Sequence, residues 1–300
     1  MTAVRLPGGG REQGESLMPG EYVLTNDDFR KIAAMIHSDA GIFLPESKAA
    51  LVYSRLAKRL RALGLESFRE YCALIQTSEG IDERQKMLAA LTTNVTRFFR
   101  EPHHFEHLKT HVLPPLLDAA RRGGRVRIWS AACSNGQEPY TIALTILSTM
   151  PDAPSYDVKV LATDIDPNMV AEGMRGVYGE SALSAVPGDL RNRWFVTQRG
   201  DGGKSWTVGD ELRNLVVFRE LNLIGSWPMK GKFNAIFCRN VVIYFEEDTQ
   251  SEVWSKFVPF LVPRGRLYIG HSERLSGSAA SAFEAEGITI YRLREGSNRP

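Results

Sequence analysis

The stretch that most constrains the fold runs from Arg127 to Tyr140, RIWSAACSNGQEPY. A short apolar run bounded by a turn of very small residues reads as a buried strand, and the segment after the turn reads as the start of a helix. A second short run, VKVLATDID, repeats the pattern and ends on an acid, Asp164. Two more runs, FNAIFCRN and RLYIGHS, follow with helical segments between them. Strands that alternate with helices predict an α/β fold, a parallel sheet with helices on both faces.

The rest of the chain is organised around that core. Residues 25–95 read as a helical domain. Thr25-Asn26-Asp27-Asp28 caps FRKIAAMIHSDA, and Gly41 stops it. Pro45-Glu46-Ser47 opens a helix that ends before Gly64, and Ser67 and Ile81-Asp82 start two more. Residues 96–125 read as a linker helix, from about Pro102 to Arg121, that Pro114-Pro115 interrupts or kinks. The α/β domain covers 126–295. Within it, residues 176–221 break the rhythm with the runs RWFVTQ, KSWTV and LVVFREL around a glycine-rich turn at 199–203. That pattern predicts a small antiparallel insertion. Residues 1–24, rich in Gly, Pro and polar side chains, read as a disordered tail.

Composition excludes several classes. With 300 residues, 43% hydrophobic and 24% charged, the chain has material for a sizeable core. A net charge of +2 implies no bulk polyelectrolyte partner, so no nucleic acid is expected. No apolar run approaches the ~18 residues of a membrane span, so no membrane insertion is expected. Three widely spaced cysteines form neither a disulfide framework nor a metal pattern, which points to a reducing cytoplasm. A monomer is the default expectation.

The turn after the first strand places Ala132, Ser134 and Gly136 at alternate positions. Small side chains there let the backbone approach a ligand, and an acid one strand over, here Asp164, suits the ribose of an adenosine cofactor. The turn lacks the second and third glycines of the dinucleotide pattern, and no GxxxxGK[ST] occurs. Glu138 sits on the first turn of the following helix, where a pyrophosphate would need bare N–H groups. A carboxylate there suits an ammonium or a sulfonium. S-adenosylmethionine carries both, with adenosine and no phosphate, and is favoured over NAD or ATP on electrostatic grounds. Cys133 and Cys238 read as small packing residues.

Between the helical domain and the sheet lies LTTNVTRFFREPHHF, Leu91 to Phe105. Asn94 and Thr96 can cap, Phe98, Phe99 and Phe105 can anchor both cores, and Arg97 and Arg100 add charge. His103, His107 and His111 recur at helical spacing without a nearby acid or cysteine cluster, so no metal is expected.

In this order, TNVTRFFREPHHF, WSAACSNGQEPYTIAL, ATDID, LNL, FCRNVVIYF and GHSE resemble the chemoreceptor glutamate methyltransferases, the CheR family of bacterial chemotaxis. The resemblance spans about Phe29 to Arg292. It implies a Rossmann-like class I methyltransferase domain with a β-subdomain insertion, preceded by an all-helical domain. It also implies methyl transfer from S-adenosylmethionine to glutamate side chains of chemoreceptors, leaving S-adenosylhomocysteine and a glutamyl methyl ester. By motif, Asn94, Thr96 and Arg100 close over the cofactor, with Glu138 and Asp164 beside it. Asn222, Leu223, Asn240 and Val241 flank its adenine and methionine parts, and Arg100 and Tyr244 lie nearest the transferred methyl. The β-subdomain of some members binds a receptor's C-terminal peptide.

The implied target is an acidic helical receptor segment. Lys48, Arg55 and Arg59, with Lys58 beside them, share one face of the Ser47–Leu63 helix and could steer it. Two alternatives stay open: a methyltransferase acting on another acceptor, and a non-catalytic S-adenosylmethionine-binding signalling module.

Overall fold

The computed structural model describes residues 16–200 and 203–297. The chain divides into two compact units, one ending at Leu91 and one running from Thr92, the latter including residues 40–42.

In the first unit, β1 (Ser16–Met18) pairs antiparallel with β2 (Leu24–Thr25). The disordered tail expected over residues 1–24 is thus corrected for residues 16–24, which form this ladder and its connection. Residues 1–15 lie outside the described residues. Helix α1 (Asn26–Ala40) follows at once. Thr25 Oγ1 accepts from the Asp28 amide at 3.1 Å while Asp28 Oδ2 receives the Thr25 hydroxyl at 2.6 Å, a reciprocal cap for amides that lack helical partners. After a short 3₁₀ turn come α2 (Ala49–Leu63), α3 (Phe68–Ile75) and α4 (Ile81–Leu91). Gly64 closes α2 at φ 67°, and the Ser67 hydroxyl caps α3. Val52, Leu56 and Leu60 of α2 are wholly buried, as their spacing requires.

The second unit opens with α5 (Pro102–His107), a π-helical segment (Leu108–Val112) and α6 (Leu113–Arg121). The π turn lies just before Pro114-Pro115, whose rings and missing N–H groups the widened turn accommodates. This corrects the linker reading. Leu108, Val112, Leu113 and Leu117 pack into the α/β core, and Phe98 and Phe105 lie in that same core.

Alternating elements then follow: β3 (Val126–Ala131), α7 (Gln137–Thr149), β4 (Val158–Asp164), α8 (Pro167–Arg175), β5 (Val177–Gly179), α9 (Gly188–Trp194), β6 (Phe195–Gly200), β7 (Gly203–Val208), α10 (Asp210–Leu215), β8 (Val216–Glu220), β9 (Phe233–Cys238), α11 (Glu247–Phe257), β10 (Leu261–Ile269), α12 (Ala279–Ala282), β11 (Phe283–Gly287) and β12 (Ile290–Leu293). Seven strands form the main sheet in the order β11-β12-β10-β9-β3-β4-β8. The five from β10 to β8 run parallel, and the β11–β12 hairpin closes one edge antiparallel. Helices cover both faces. Ile128 faces one core and Trp129 the other, both fully buried, which is why β3 reads as continuously apolar.

The insertion is a three-stranded antiparallel sheet in the order β5-β7-β6. Its expected bounds, 176–221, need correction. LVVFREL is not part of it, because Val216–Glu220 pairs parallel with β4 as the edge strand of the main sheet. Val216 and Phe218 are buried in the main core, so their apolar alternation served that sheet. Part of the glycine-rich turn, residues 201–202, lies outside the described residues.

Candidate functional site

After β4 the chain continues outward to β8. It then returns to β9 on the opposite side of β3. Loops after β3 and β9 therefore part at one crevice, the place where open α/β sheets bind ligands. The expected site residues of this unit stand on the loops at this end.

The turn after β3 is conformationally unusual. Ala132 and Ser134 have φ of 60° and 50°, and Gly136 has 92°. At Gly136 a Cβ would come within 2.9 Å of the Gly173 backbone, so glycine is needed there for space as well as for φ. Phe99, Glu101 and Asn240 also have left-handed backbones. Such conformations cost of order 1 kcal/mol each for non-glycine residues and concentrate at functional sites.

Hydrogen bonds tie these loops together. The Ser134 amide donates to Asp164 Oδ2 at 2.7 Å, and its hydroxyl donates to the Asn94 carbonyl at 2.9 Å. The Asp166 amide donates to Asp164 Oδ1 at 3.0 Å. Burial pushes the Asp164 carboxyl up to about 6, although the amides pull the other way. With about four lone-pair sites on a carboxylate, acceptor capacity remains for a ribose hydroxyl. Asp166, which the sequence reading passed over, caps α8 and receives Asn94 Nδ2 at 3.0 Å. Gln137 and Thr141 of α7 were also missed. Gln137 Oε1 accepts from the Phe98 amide at 3.0 Å, and Thr141 Oγ1 from the Phe99 amide at 3.2 Å.

Glu138 has partners that the sequence did not disclose. Its Oε1 receives the Ser130 hydroxyl at 2.7 Å, and its Oε2 pairs with Arg239 at 3.1 Å. The Arg239 side chain is 1% exposed and lies over the Phe105 ring. It also donates to the Arg100 carbonyl and stands 3.6 Å from Glu101 Oε2. Burial raises the Glu138 carboxyl while Arg239 and Ser130 lower it. The negative charge read into the turn is therefore shared with a buried cation. The Arg100 side chain donates to the Val95 carbonyl at 2.9 Å.

The loop after β9 is gripped by Glu273, from the GHSE motif. Oε1 accepts the amides of Val241 and Val242 at 2.9 and 2.8 Å, and Oε2 those of Asn240 and Gly270 at 2.9 and 2.5 Å. Asn240 Nδ2 reaches Glu101 Oε1 at 3.4 Å. Tyr244 ends the 3₁₀ turn after this loop, half-buried. On the β8 side, Asn222 Oδ1 accepts from the Ile224 amide at 3.1 Å, and Leu223 is buried beside Val241's core. Thr96 is half-buried in the loop between Asn94 and Arg100. Cys133 and Cys238 are buried and their thiols pushed well up by desolvation, as packing residues should be.

The basic face of α2 is partly committed within its own unit. Arg59 makes a forked pair with Glu83 at 2.9 and 2.6 Å, Tyr71 donates to the same carboxylate at 3.0 Å, and Arg55 donates to the Ala90 carbonyl at 3.1 Å. Lys48 and Lys58 are exposed.

A switch-point crevice with an acid-tipped second strand, on a mainly parallel sheet after a mainly helical unit, fits a class I methyltransferase. The family model described as "CheR methyltransferase, SAM binding domain" matches residues 94–292, and "CheR methyltransferase, all-alpha domain" matches 27–92. A "Probable chemotaxis protein methyltransferase" of Rhizobium etli is 58% identical over 86% of this chain and 96% of its own length. The "Chemotaxis protein methyltransferase" of Escherichia coli is 41% identical over 92% of this chain and 94% of its own. That of Salmonella typhimurium is 40% identical over 92% and 93%. The chain belongs to the CheR methyltransferase family, and its cofactor is S-adenosylmethionine. The donor chemistry of the crevice fits that cofactor: Asp164 offers acceptors for sugar hydroxyls, and Glu138 places a carboxylate in the first turn of α7, where it disfavours a phosphate.

Proposed function

We propose that this chemotaxis-family methyltransferase esterifies glutamate side chains of bacterial chemoreceptors in the cytoplasm, giving glutamyl methyl esters for adaptation or a related chemosensory pathway. When bound, S-adenosylmethionine supplies an electrophilic methyl group on a sulfonium. Asn94, Thr96, Ala132, Ser134, Gly136, Glu138, Asp164, Asn222, Leu223, Asn240 and Val241 would hold it, with Arg100 beside it. The acceptor carboxylate needs no base, since a glutamate of pKa about 4.3 is ionised at neutral pH. What the protein must supply is alignment and exclusion of water. Arg100 and Tyr244 fit that task, because a guanidinium and a phenol can orient a carboxylate without taking its charge away.

The observation that carries the reading is the anchoring of Arg100. Its backbone is locked by buried Arg239 to Glu138, while its side chain donates to a loop carbonyl. A cation with a fixed base and a lightly held head suits an anionic acceptor. Lys48 and Lys58, with Arg55 and Arg59 as their inner neighbours, are proposed to meet the receptor's acidic helices. In the inserted sheet, β5 and β6 are edge strands, and a receptor C-terminal peptide could add a strand there.

The test is transfer of labelled methyl groups to receptor cytoplasmic domains, followed by base treatment. Glutamyl esters release methanol, whereas N-methyl groups do not. Label that resists base would refute the acceptor, and absence of transfer to any receptor would refute the reading.

A further inference from the structure

The sequence offered His103, His107 and His111 as a histidine series without an acid. The fold assembles a different set: Glu101, at the N-cap of α5, beside His103 and His104.

The tautomers of both histidines follow from their partners. His103 Nε2 lies 3.1 Å from the Ile288 carbonyl, which can only accept, so Nε2 carries the proton. His104 Nε2 lies 2.9 Å from Thr289 Oγ1, whose own proton goes to the Ile288 carbonyl at 2.7 Å. Oγ1 therefore accepts, and His104 is also protonated on Nε2. In both neutral rings Nδ1 is a lone pair.

His104 is 0% exposed, its Nδ1 has no hydrogen-bond partner, and it lies 3.6 Å from Glu101 Oε2, which is buried, accepts no hydrogen bond and has only the Arg239 guanidinium, also at 3.6 Å, as an ionic neighbour. Two acceptors thus face each other in a low-dielectric pocket, an arrangement that favours a cation between them. One donor atom from each of Glu101, His103 and His104 falls within 4.8 Å of the others. Ligand atoms on a tetrahedral zinc ion at ~2.0–2.1 Å stand about 3.4 Å apart. Both rings also give their second N–H to an oxygen acceptor, which is how metal-binding histidines are oriented.

We propose that Glu101, His103 and His104 form a binding site for a divalent transition-metal ion of the zinc class, which prefers imidazole and carboxylate ligands. His271 Nδ1, 3.1 Å from the other oxygen of Glu101, stands next to it. Arg239 opposes a cation here, but Glu101 and Glu138 together outweigh its charge. Affinity should accordingly fall below that of a closed structural zinc site. The metal would compete with Arg239 and Asn240 for Glu101, one residue from Arg100. The site itself does not depend on which acceptor is methylated.

The test uses the metal-free full chain titrated with Zn²⁺ by calorimetry and with Co²⁺ by visible absorption. His103→Ala is the main variant, since His103 is exposed and its loss should spare the fold. His111→Ala is the control, because His107 and His111 stack at 4.8 Å on the same helical stretch and are the competing site. The expected result is one ion per chain, a tetrahedral Co²⁺ spectrum, at least tenfold weaker binding in His103→Ala, and no change in His111→Ala. No uptake, unchanged affinity in His103→Ala, or loss in His111→Ala instead would each overturn the site.

Discussion

Replacing Glu273 by glutamine tests whether a buried carboxylate holds the cofactor loop in place. Glu273 is 3% exposed and accepts four backbone amides, two on each oxygen. Glutamine has one oxygen. In either orientation its NH₂ faces two N–H donors, so two bonds to a charged acceptor are lost and two buried amides are orphaned. Bonds of that kind contribute about 1.5–3 kcal/mol each, so the gross loss is about 3–6 kcal/mol. Burial raises the Glu273 carboxyl, so removing the charge returns part of this. A net cost of about 3 kcal/mol is expected, a large fraction of the ~5–15 kcal/mol of a typical domain. The loop has little room to adapt. Asn240 is held left-handed at φ 59°, and its Nδ2 lies 2.4 Å from where a Cβ on Gly270 would stand. Urea unfolding should report the stability loss. Calorimetry with S-adenosylmethionine should show weaker binding, and Glu273→Ala should be worse than Glu273→Gln on both counts. A Glu273→Gln protein within 1 kcal/mol of the parent, by the same ~1.5–3 kcal/mol per bond reasoning, with unaltered affinity, would refute the argument.

Four further outcomes are expected. Asp164, pushed up to about 6, is ionised above that pH and protonated below it, so cofactor affinity should hold above it and fall as pH drops through it. Calorimetry across pH reads this directly, and Asp164→Asn should bind weakly with no such step. Arg100→Ala should lower kcat by about tenfold or more, equivalent to about 1.4 kcal/mol or more of transition-state stabilisation, with modest change in cofactor affinity; steady-state methylation and calorimetry separate the two. Glu83→Ala should destabilise the chain by about 2–4 kcal/mol in chemical unfolding, near the range for breaking a buried pair, because Arg59 and Tyr71 both lose their partner. Finally, kcat/KM on receptor should fall with salt, and Lys48→Glu with Lys58→Glu should reduce that slope; a salt-independent rate would remove the basic face from receptor encounter.

What the sequence determined by itself is mostly what local chemistry dictates. Thr25 and Ser67 mark helix starts because their hydroxyls satisfy orphan amides. Gly64 marks a stop because it takes a left-handed φ that side chains resist. The apolar runs of β3, β4, β9 and β10 announce strands because those strands are buried on both faces. Asp164 stood out because it ends such a strand. Tertiary structure decided whatever depends on partners distant in the chain. LVVFREL has the composition of any strand, and only pairing with β4 assigns it to the main sheet. Arg59 reads as a solvated charge until Glu83, 24 positions on, takes it inward. Arg239 lies 101 residues from Glu138, so no spacing rule links the two, yet their pairing redefines the electrostatics of the turn. The small-residue turn was visible in the sequence because a ligand needs close backbone approach. The buried cation beneath it and the carboxylate that grips its neighbouring loop were not, because desolvated charges take whichever partners the fold brings near.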